Sequence, residues 1–277
     1  MVACSGNFGA FLQHIIPVLN ALKKQGHTVE YCGYTEHKVY LKRQYKGSPV
    51  DIFYGFDWWS EGYKGGFVAD NIPKEAIELY ESKKDIIYWP ITELLHDNYA
   101  FYLKQPKIAR RFIAPNISEY KDSIVVFPRK KSSDRDLNLE FWRFVVQELA
   151  KQYKIYVIGN KHQIYTDFRG NNVVNLCDDP DRVNKQIDIL NNCMASISCM
   201  GGGGVTALRC GTPILFFSHP YFSQIDTEEY NPFHTTIEFI GCDPSTYSGE
   251  EALKYILNFI DKKGHNRSNV IDEVSYI

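Results

Sequence analysis

Apolar positions along this chain switch repeatedly between two spacings. Residues 2–4 form a short apolar run, and Phe11, Ile15, Val18, Leu19 and Leu22 then recur at helical spacing. Gly26-His27 interrupts the pattern, and residues 28–32, with Val29, Tyr31 and Cys32, read as the next strand. This predicts strand, helix, strand: a βαβ opening, whose crossover implies a parallel sheet. Residues 50–54 predict a third strand, and helices over 73–84 and 91–105 flank a strand at 85–89. The pattern restarts with a strand at 123–127, apolar throughout after Ser123, followed by a helix over 139–152 with Phe141, Phe144, Val145 and Leu149 on one face. Strands at 154–158 and 173–176, a helix over 182–191 and a strand at 195–199 come next. A short helix over 205–210 and strands at 214–217 and 236–240 follow. Ser248-Gly249-Glu250-Glu251 has the spacing of a capping box, opening a last helix that carries Leu253, Ile256, Leu257 and Ile260.

The chain therefore reads as two successive α/β halves. Pro106, Pro115-Asn116 and the polar stretch 119–122 mark the change of texture between them. The expected division is 1–118 and 119–277, each half Rossmann-like with a mostly parallel sheet. Open α/β sheets bind ligands beyond the C-terminal ends of their strands, so two such halves facing each other form a cleft.

Composition narrows the function classes. Lys and Arg number 31 against 33 Asp and Glu, so no overall basic field points to nucleic acid. No apolar run approaches the ~20 residues of a membrane helix, and no polybasic block suggests an anionic surface. Peripheral contact with a membrane is left open. The N-terminus shows no signal-peptide pattern, and the seven cysteines form no CxxC pair. They read as reduced core thiols of a cytoplasmic protein. Eight dispersed histidines give no zinc spacing.

The stretch richest in chemistry lies between the strands at 195–199 and 214–217. Gly201, Gly202, Gly203 and Gly204 read as a turn with bare main-chain N–H groups at a helix N-terminus, which suits a phosphate or diphosphate. A tight turn with no ligand is the plainer reading. The N-terminal turn, Ser5-Gly6-Asn7-Phe8-Gly9, is not the dinucleotide fingerprint, and the second strand ends without an acid for a ribose.

Residues 123–217 carry a resemblance. Ile124-Val125-Val126-Phe127-Pro128-Arg129-Lys130-Lys131, followed by Leu139-Glu140-Phe141-Trp142, is similar to the start of the C-terminal domain of bacterial heptosyltransferases, the glycosyltransferase family 9 group. Residues 173–177, 187–198, Gly202 and Ala207-Leu208-Arg209-Cys210-Gly211-Thr212-Pro213 continue that similarity in order. The resemblance implies the GT-B architecture of two Rossmann-like domains. It also implies metal-independent transfer of a sugar from a nucleotide-diphosphate donor to a glycan or lipid-linked acceptor, with no further cofactor. The sequence departs from that family where an Asp-Ser/Thr-Gly-Pro-Met-His pattern is expected and Met200 to Val205 stands instead. The family's acid after the first strand is also missing, since Gly9 is followed by Ala10. Other GT-B families place a His three residues before a Pro in the first helix, which His14 and Pro17 match.

Sugar transfer to a hydroxyl needs a base and a stabiliser for the departing diphosphate. His14 is the first candidate base, with Asp57 and Glu61 as competing acids. Arg129, Lys130, the amides of Gly201, Gly202, Gly203 and Gly204, and the Thr206 hydroxyl are the donor-site candidates. Asp226 and Glu229, in the loop that contacts the donor sugar in GT-B enzymes, join them. Gly9, Trp58, Trp59 and Tyr63 are candidates for the acceptor, the aromatic rings by stacking on sugar faces. Asp134-Arg135-Asp136 and Asp179-Pro180-Asp181 spell the Asp-x-Asp of metal-dependent glycosyltransferases. The first lies in a loop ahead of a helix and the second at a helix start, where acids are ordinary caps, so no metal is expected. A nucleotide-sugar 2-epimerase and a non-catalytic nucleotide-sugar-binding protein are the alternatives.

Overall fold

The strand expected at 123–127 becomes the central strand of a six-stranded parallel sheet. The computed structural model of the chain describes residues 2–3, 11–56, 78, 82, 106–130, 136–218, 230–241 and 247–276. The chain forms two compact units, 1–110 with 273–277, and 111–272.

The second unit contains β5 (Ser123–Phe127), β6 (Lys154–Val157), β7 (Val173–Asn175), β8 (Ala195–Cys199), β9 (Ile214–Ser218) and β10 (Ile237–Gly241). Their spatial order is β10-β9-β8-β5-β6-β7. The chain steps outward from β5 to β7, then returns to the other side of β5 and steps outward again. This is the doubly wound Rossmann order, with its reversal between β5 and β8. Ile124 pairs with Ala195 and Phe127 with Ser198, so the two strands end level with one another.

The helix Leu139–Leu149 covers this sheet, with Phe141, Val145 and Leu149 of the expected face buried, Phe144 only partly so, and Trp142 and Val146 buried beside them. Trp142 sits in one core with Ile124, Val126, Ile197, Phe217, Ile256 and Phe259. The last helix, Gly249–Lys263, packs against the same core and starts at Ser248, whose Oγ accepts a hydrogen bond from the Glu251 N–H at 3.1 Å. Cys177, Cys193, Cys199 and Cys210 are buried, as is Cys32 in the first unit. Burial pushes Cys193 up to about 12, the behaviour of an inert core thiol.

Two helix C-termini in this unit share one arginine. Helix Arg182–Asn192 and helix Gly202–Arg209 end near each other, the latter followed by Gly211 in the left-handed region at φ 70°. Arg267 Nη1 donates to the carbonyls of Gly211 at 2.7 Å and Cys210 at 3.2 Å. Its Nη2 donates to those of Leu190 at 2.9 Å and Cys193 at 3.0 Å. Burial draws its pKa below the usual arginine range. Arg111 adds hydrogen bonds to Asn191 Oδ1 and the Cys210 carbonyl, and an ion pair with Asp272.

The first unit holds a parallel sheet of β1 (Val2–Ala3), β2 (Glu30–Tyr34) and β3 (Ile52–Phe56) in the order β1-β2-β3. Its first helix opens as a π-helical turn, Phe11–Ile15, and continues as the α-helix Ile16–Lys24. Pro17 lacks an N–H and its ring crowds the carbonyl four residues back, and the wider turn lies just ahead of it. Fully buried Asn20 donates to Gln44 Oε1 at 2.8 Å and to the Ile108 carbonyl at 2.9 Å. That fixes the helix to β4 (Lys107–Arg110). β4 pairs antiparallel with β11 (Glu273–Tyr276), so the end of the described chain belongs to this unit, not to the half that precedes it in sequence.

His37, at the start of helix His37–Lys42, is buried against Phe11 with ring centroids 3.6 Å apart and planes 7° apart. Its Nδ1 is 2.8 Å from the Tyr31 hydroxyl. Burial depresses its pKa from 6.5 to about 3. The unfolded chain therefore takes up a proton below pH 6.5 that the folded chain refuses until about pH 3. The stabilisation is complete above 6.5 and falls as pH drops, at about 1.4 kcal/mol per pH unit for one proton. In urea titrations between pH 7 and pH 5, His37→Asn should lose this slope while costing stability at pH 7. An unchanged slope in the variant would show that another group carries the acid sensitivity.

Candidate functional site

The strand order reverses between β5 and β8, and beyond the C-terminal ends of strands at such a reversal is where open α/β sheets bind ligands. After Phe127 the chain runs through Pro128 to Arg129, and after Cys199 through Met200 to Gly201. The backbone at Arg129 is pinned by the loop that follows β6. Tyr165 N–H donates to the Pro128 carbonyl at 2.7 Å, and Lys130 N–H to the Gln163 carbonyl at 3.0 Å. Arg129 and Ile164 form an antiparallel bridge.

The Arg129 side chain, 16% exposed, reaches across to β8. Its Nη1 donates to the Met200 carbonyl, and its Nε lies 3.4 Å from Asp136 Oδ1. A Cβ placed on Gly201 would stand 3.2 Å from Nη1. Arginine and glycine turn are therefore one structure, which their separation in sequence did not reveal.

The glycine run itself differs from expectation. The helix begins at Gly202, not at residue 205, and Gly201 is its extended N-cap. Glycine's poor helix propensity hides this start in the sequence. Packing explains two of the four glycines. A Cβ on Gly203 would lie 2.2 Å from Phe127 Cδ1, and one on Gly204 would lie 2.2 Å from Phe216 Cε1. These two let the helix settle on the sheet. Gly201 is the one whose missing side chain leaves room beside the guanidinium.

No side chain caps Gly201 among the described residues, so the positive end of the helix dipole meets the Arg129 charge there. That combination suits an oxyanion and would stabilise negative charge on a leaving diphosphate.

Thr206 is fully buried, and its hydroxyl donates to the Gly202 carbonyl at 2.9 Å, one turn back in its own helix. This bond is local and gives Thr206 a structural task. Lys130, the next residue, is exposed. Asp179, in the second Asp-x-Asp, accepts from the Asp181 N–H at 2.8 Å and pairs with Lys185, which holds its carboxyl below the usual range. It serves the start of the helix Arg182–Asn192.

His14 belongs to the first unit, buried within the π-helical turn. Gly9, Asp57, Trp58, Trp59, Glu61, Tyr63, Asp226 and Glu229 lie outside the described residues. The residue sequence reasoning missed is Asp136. Its place in a loop ahead of a helix reads as an ordinary cap, and nothing local signals that it faces an arginine.

Comparison with known proteins places this geometry in context. The chain matches no family model and no curated protein sequence. Among solved structures, E. coli ADP-heptose LPS heptosyltransferase II is similar at a TM-score of 0.64 and 9% identity, over 95% of this chain and 98% of that one. A glycosyl transferase family 9 structure from Veillonella parvula gives 0.55 at 13% identity, over 95% and 97%. An E. coli heptosyltransferase with ADP gives 0.53 at 12% identity, over 93% and 98%. The chain has the Rossmann-like GT-B fold of these proteins, the group its residues 123–217 resemble.

Proposed function

We propose that this protein is a glycosyltransferase, moving a sugar from a nucleotide-diphosphate donor to a hydroxyl of a glycan or lipid-linked acceptor in the cytoplasm without a metal ion. The observation that carries the reading is the guanidinium of Arg129 held against Gly201, at the start of a helix and at the sheet's reversal point. Sugar transfer leaves a nucleoside diphosphate, and this is where its charge would be met. Gly201, Gly202 and Arg129 form the centre of the donor site, with Lys130 at its edge and Asp226 and Glu229 toward the sugar. His14 is the proposed base, Asp57 and Glu61 the competing acids. Gly9, Trp58, Trp59 and Tyr63 are assigned to the acceptor.

A thermal-shift panel of ADP, UDP, GDP, TDP and CMP tests the reading. A ligand at a hundred times its Kd adds about 2.7 kcal/mol of stability. For a unit of this size that raises Tm by about 5–10 °C. One diphosphate should stand out, and ADP heads the panel because one of the similar structures is a complex with ADP. No shift with any member at millimolar concentration would remove the donor site. Incubation with UDP-GlcNAc and no acceptor adds a second check: conversion at C2 would replace transfer with isomerisation.

A further inference from the structure

We infer that Asp136 is a positioning residue for Arg129, so that the diphosphate site is built on the pair and not on the arginine alone. The inference rests on the reading of these strand ends as a diphosphate site.

An acid just ahead of a helix is ordinarily its cap, but that position is filled. Asn138 is the N-cap of Leu139–Leu149, its Oδ1 accepting from the Phe141 N–H at 2.8 Å. Asp136 instead turns inward, its side chain 4% exposed. A buried carboxylate is costly without a compensating positive charge, and Arg129 Nε supplies one at 3.4 Å. On the other edge of the guanidinium, Nη1 donates to the Met200 carbonyl.

A planar group held at two edges has its orientation set as well as its location. The backbone beneath it is held by Gln163 and Tyr165. The Tyr165 phenol also feels the carboxylate: burial raises its pKa first, and the charge of Asp136 adds to that. Arg129 thus loses its rotamer freedom on folding rather than on binding, which is what a preorganised anion site requires.

The direction of one measurement separates positioning from mere proximity. Asp136 places a negative charge beside an anion site. If Arg129 kept its place without it, Asp136→Asn would bind anions more tightly. If Asp136 sets that place, the same variant binds more weakly although the site has become more positive.

The experiment is calorimetric titration of the full chain with inorganic pyrophosphate in metal-free buffer, each variant checked by its melting transition. Wild type should bind saturably, Arg129→Met should lose binding, and Asp136→Asn should bind about tenfold more weakly or worse. Asp136→Glu keeps the charge but moves it by one methylene, and should also bind about tenfold more weakly. It carries the test if Asp136→Asn does not fold. Binding by Asp136→Asn as tight as wild type or tighter, or unchanged binding by Asp136→Glu, overturns the positioning role and leaves the diphosphate site standing. Failure of wild type to bind pyrophosphate, together with an empty nucleotide panel, overturns both.

Discussion

Gly203→Ala is expected to destabilise the protein by about 2 kcal/mol or more, against the usual direction for such a change in a helix. In an exposed helix interior, alanine in place of glycine gains about 1 kcal/mol of propensity. Here the added methyl would stand 2.2 Å from Phe127 Cδ1, where carbon atoms pack at about 3.5–4.0 Å. Phe127 is buried at the end of the central strand, so its ring has little room to retreat. Gly204→Ala should behave alike, against Phe216 Cε1. Gly201→Ala should not: its nearest neighbour is the end of the Arg129 side chain at 3.2 Å, and its backbone is extended. Urea denaturation of the three variants decides the matter. A Gly203→Ala protein as stable as wild type would mean that the helix rides higher on the sheet than described.

The second large effect is expected at Arg267. Arg267→Met preserves much of the side chain's bulk and removes the donors to the carbonyls of Leu190, Cys193, Cys210 and Gly211. The Cys210 carbonyl keeps Arg111 and the Leu190 carbonyl keeps the Thr212 hydroxyl, so the loss falls chiefly on the carbonyls of Cys193 and Gly211. A buried acceptor left unsatisfied costs about 1–3 kcal/mol, which puts the total at about 3 kcal/mol. For a unit of this size that is a fall in Tm of about 10 °C. Arg267→Lys should recover only part of the loss, because one ammonium cannot serve four carbonyls on two helices. Calorimetry of wild type and both variants makes the comparison. If lysine matched arginine, the geometry of the fork would be irrelevant and charge at the helix ends would suffice.

Much of the fold is written in short-range pattern, and its successes share a cause. Strands 123–127 and 195–199 have the bounds expected of them, and both are buried along their whole length in a parallel sheet, made of apolar and small residues. The helix with Trp142 and the capping Ser248 were equally plain, since spacing and caps are local signals. Local reading failed where the cause is distant. The helix over Gly202–Arg209 starts among glycines because two phenylalanines from other strands demand it. The short helix His37–Lys42 and the strands Lys107–Arg110 and Glu273–Tyr276 are too brief to show a period.

The candidate site divides the same way. Arg129 and Gly201 were each legible as strand-end residues, and strand ends in α/β sheets are where ligands bind. Their direct proximity was not, nor was the part played by Asp136, since these depend on strand order and sequence has no marker for that. Thr206 illustrates the converse. A hydroxyl beside a glycine turn invites a binding role, and at four residues past Gly202 it bonds its own helix.

The pairing of Glu273–Tyr276 with Lys107–Arg110 has a consequence for the order in which the molecule is made. Synthesis delivers residue 272 before residue 273, so every residue of 111–272 exists as chain before the first unit receives its last strand. The unit that comes first in the gene's reading direction is completed last. Until then Lys107–Arg110 leaves the ribosome with one hydrogen-bonding edge unclaimed, a open strand of the kind that chaperones and self-association both seek.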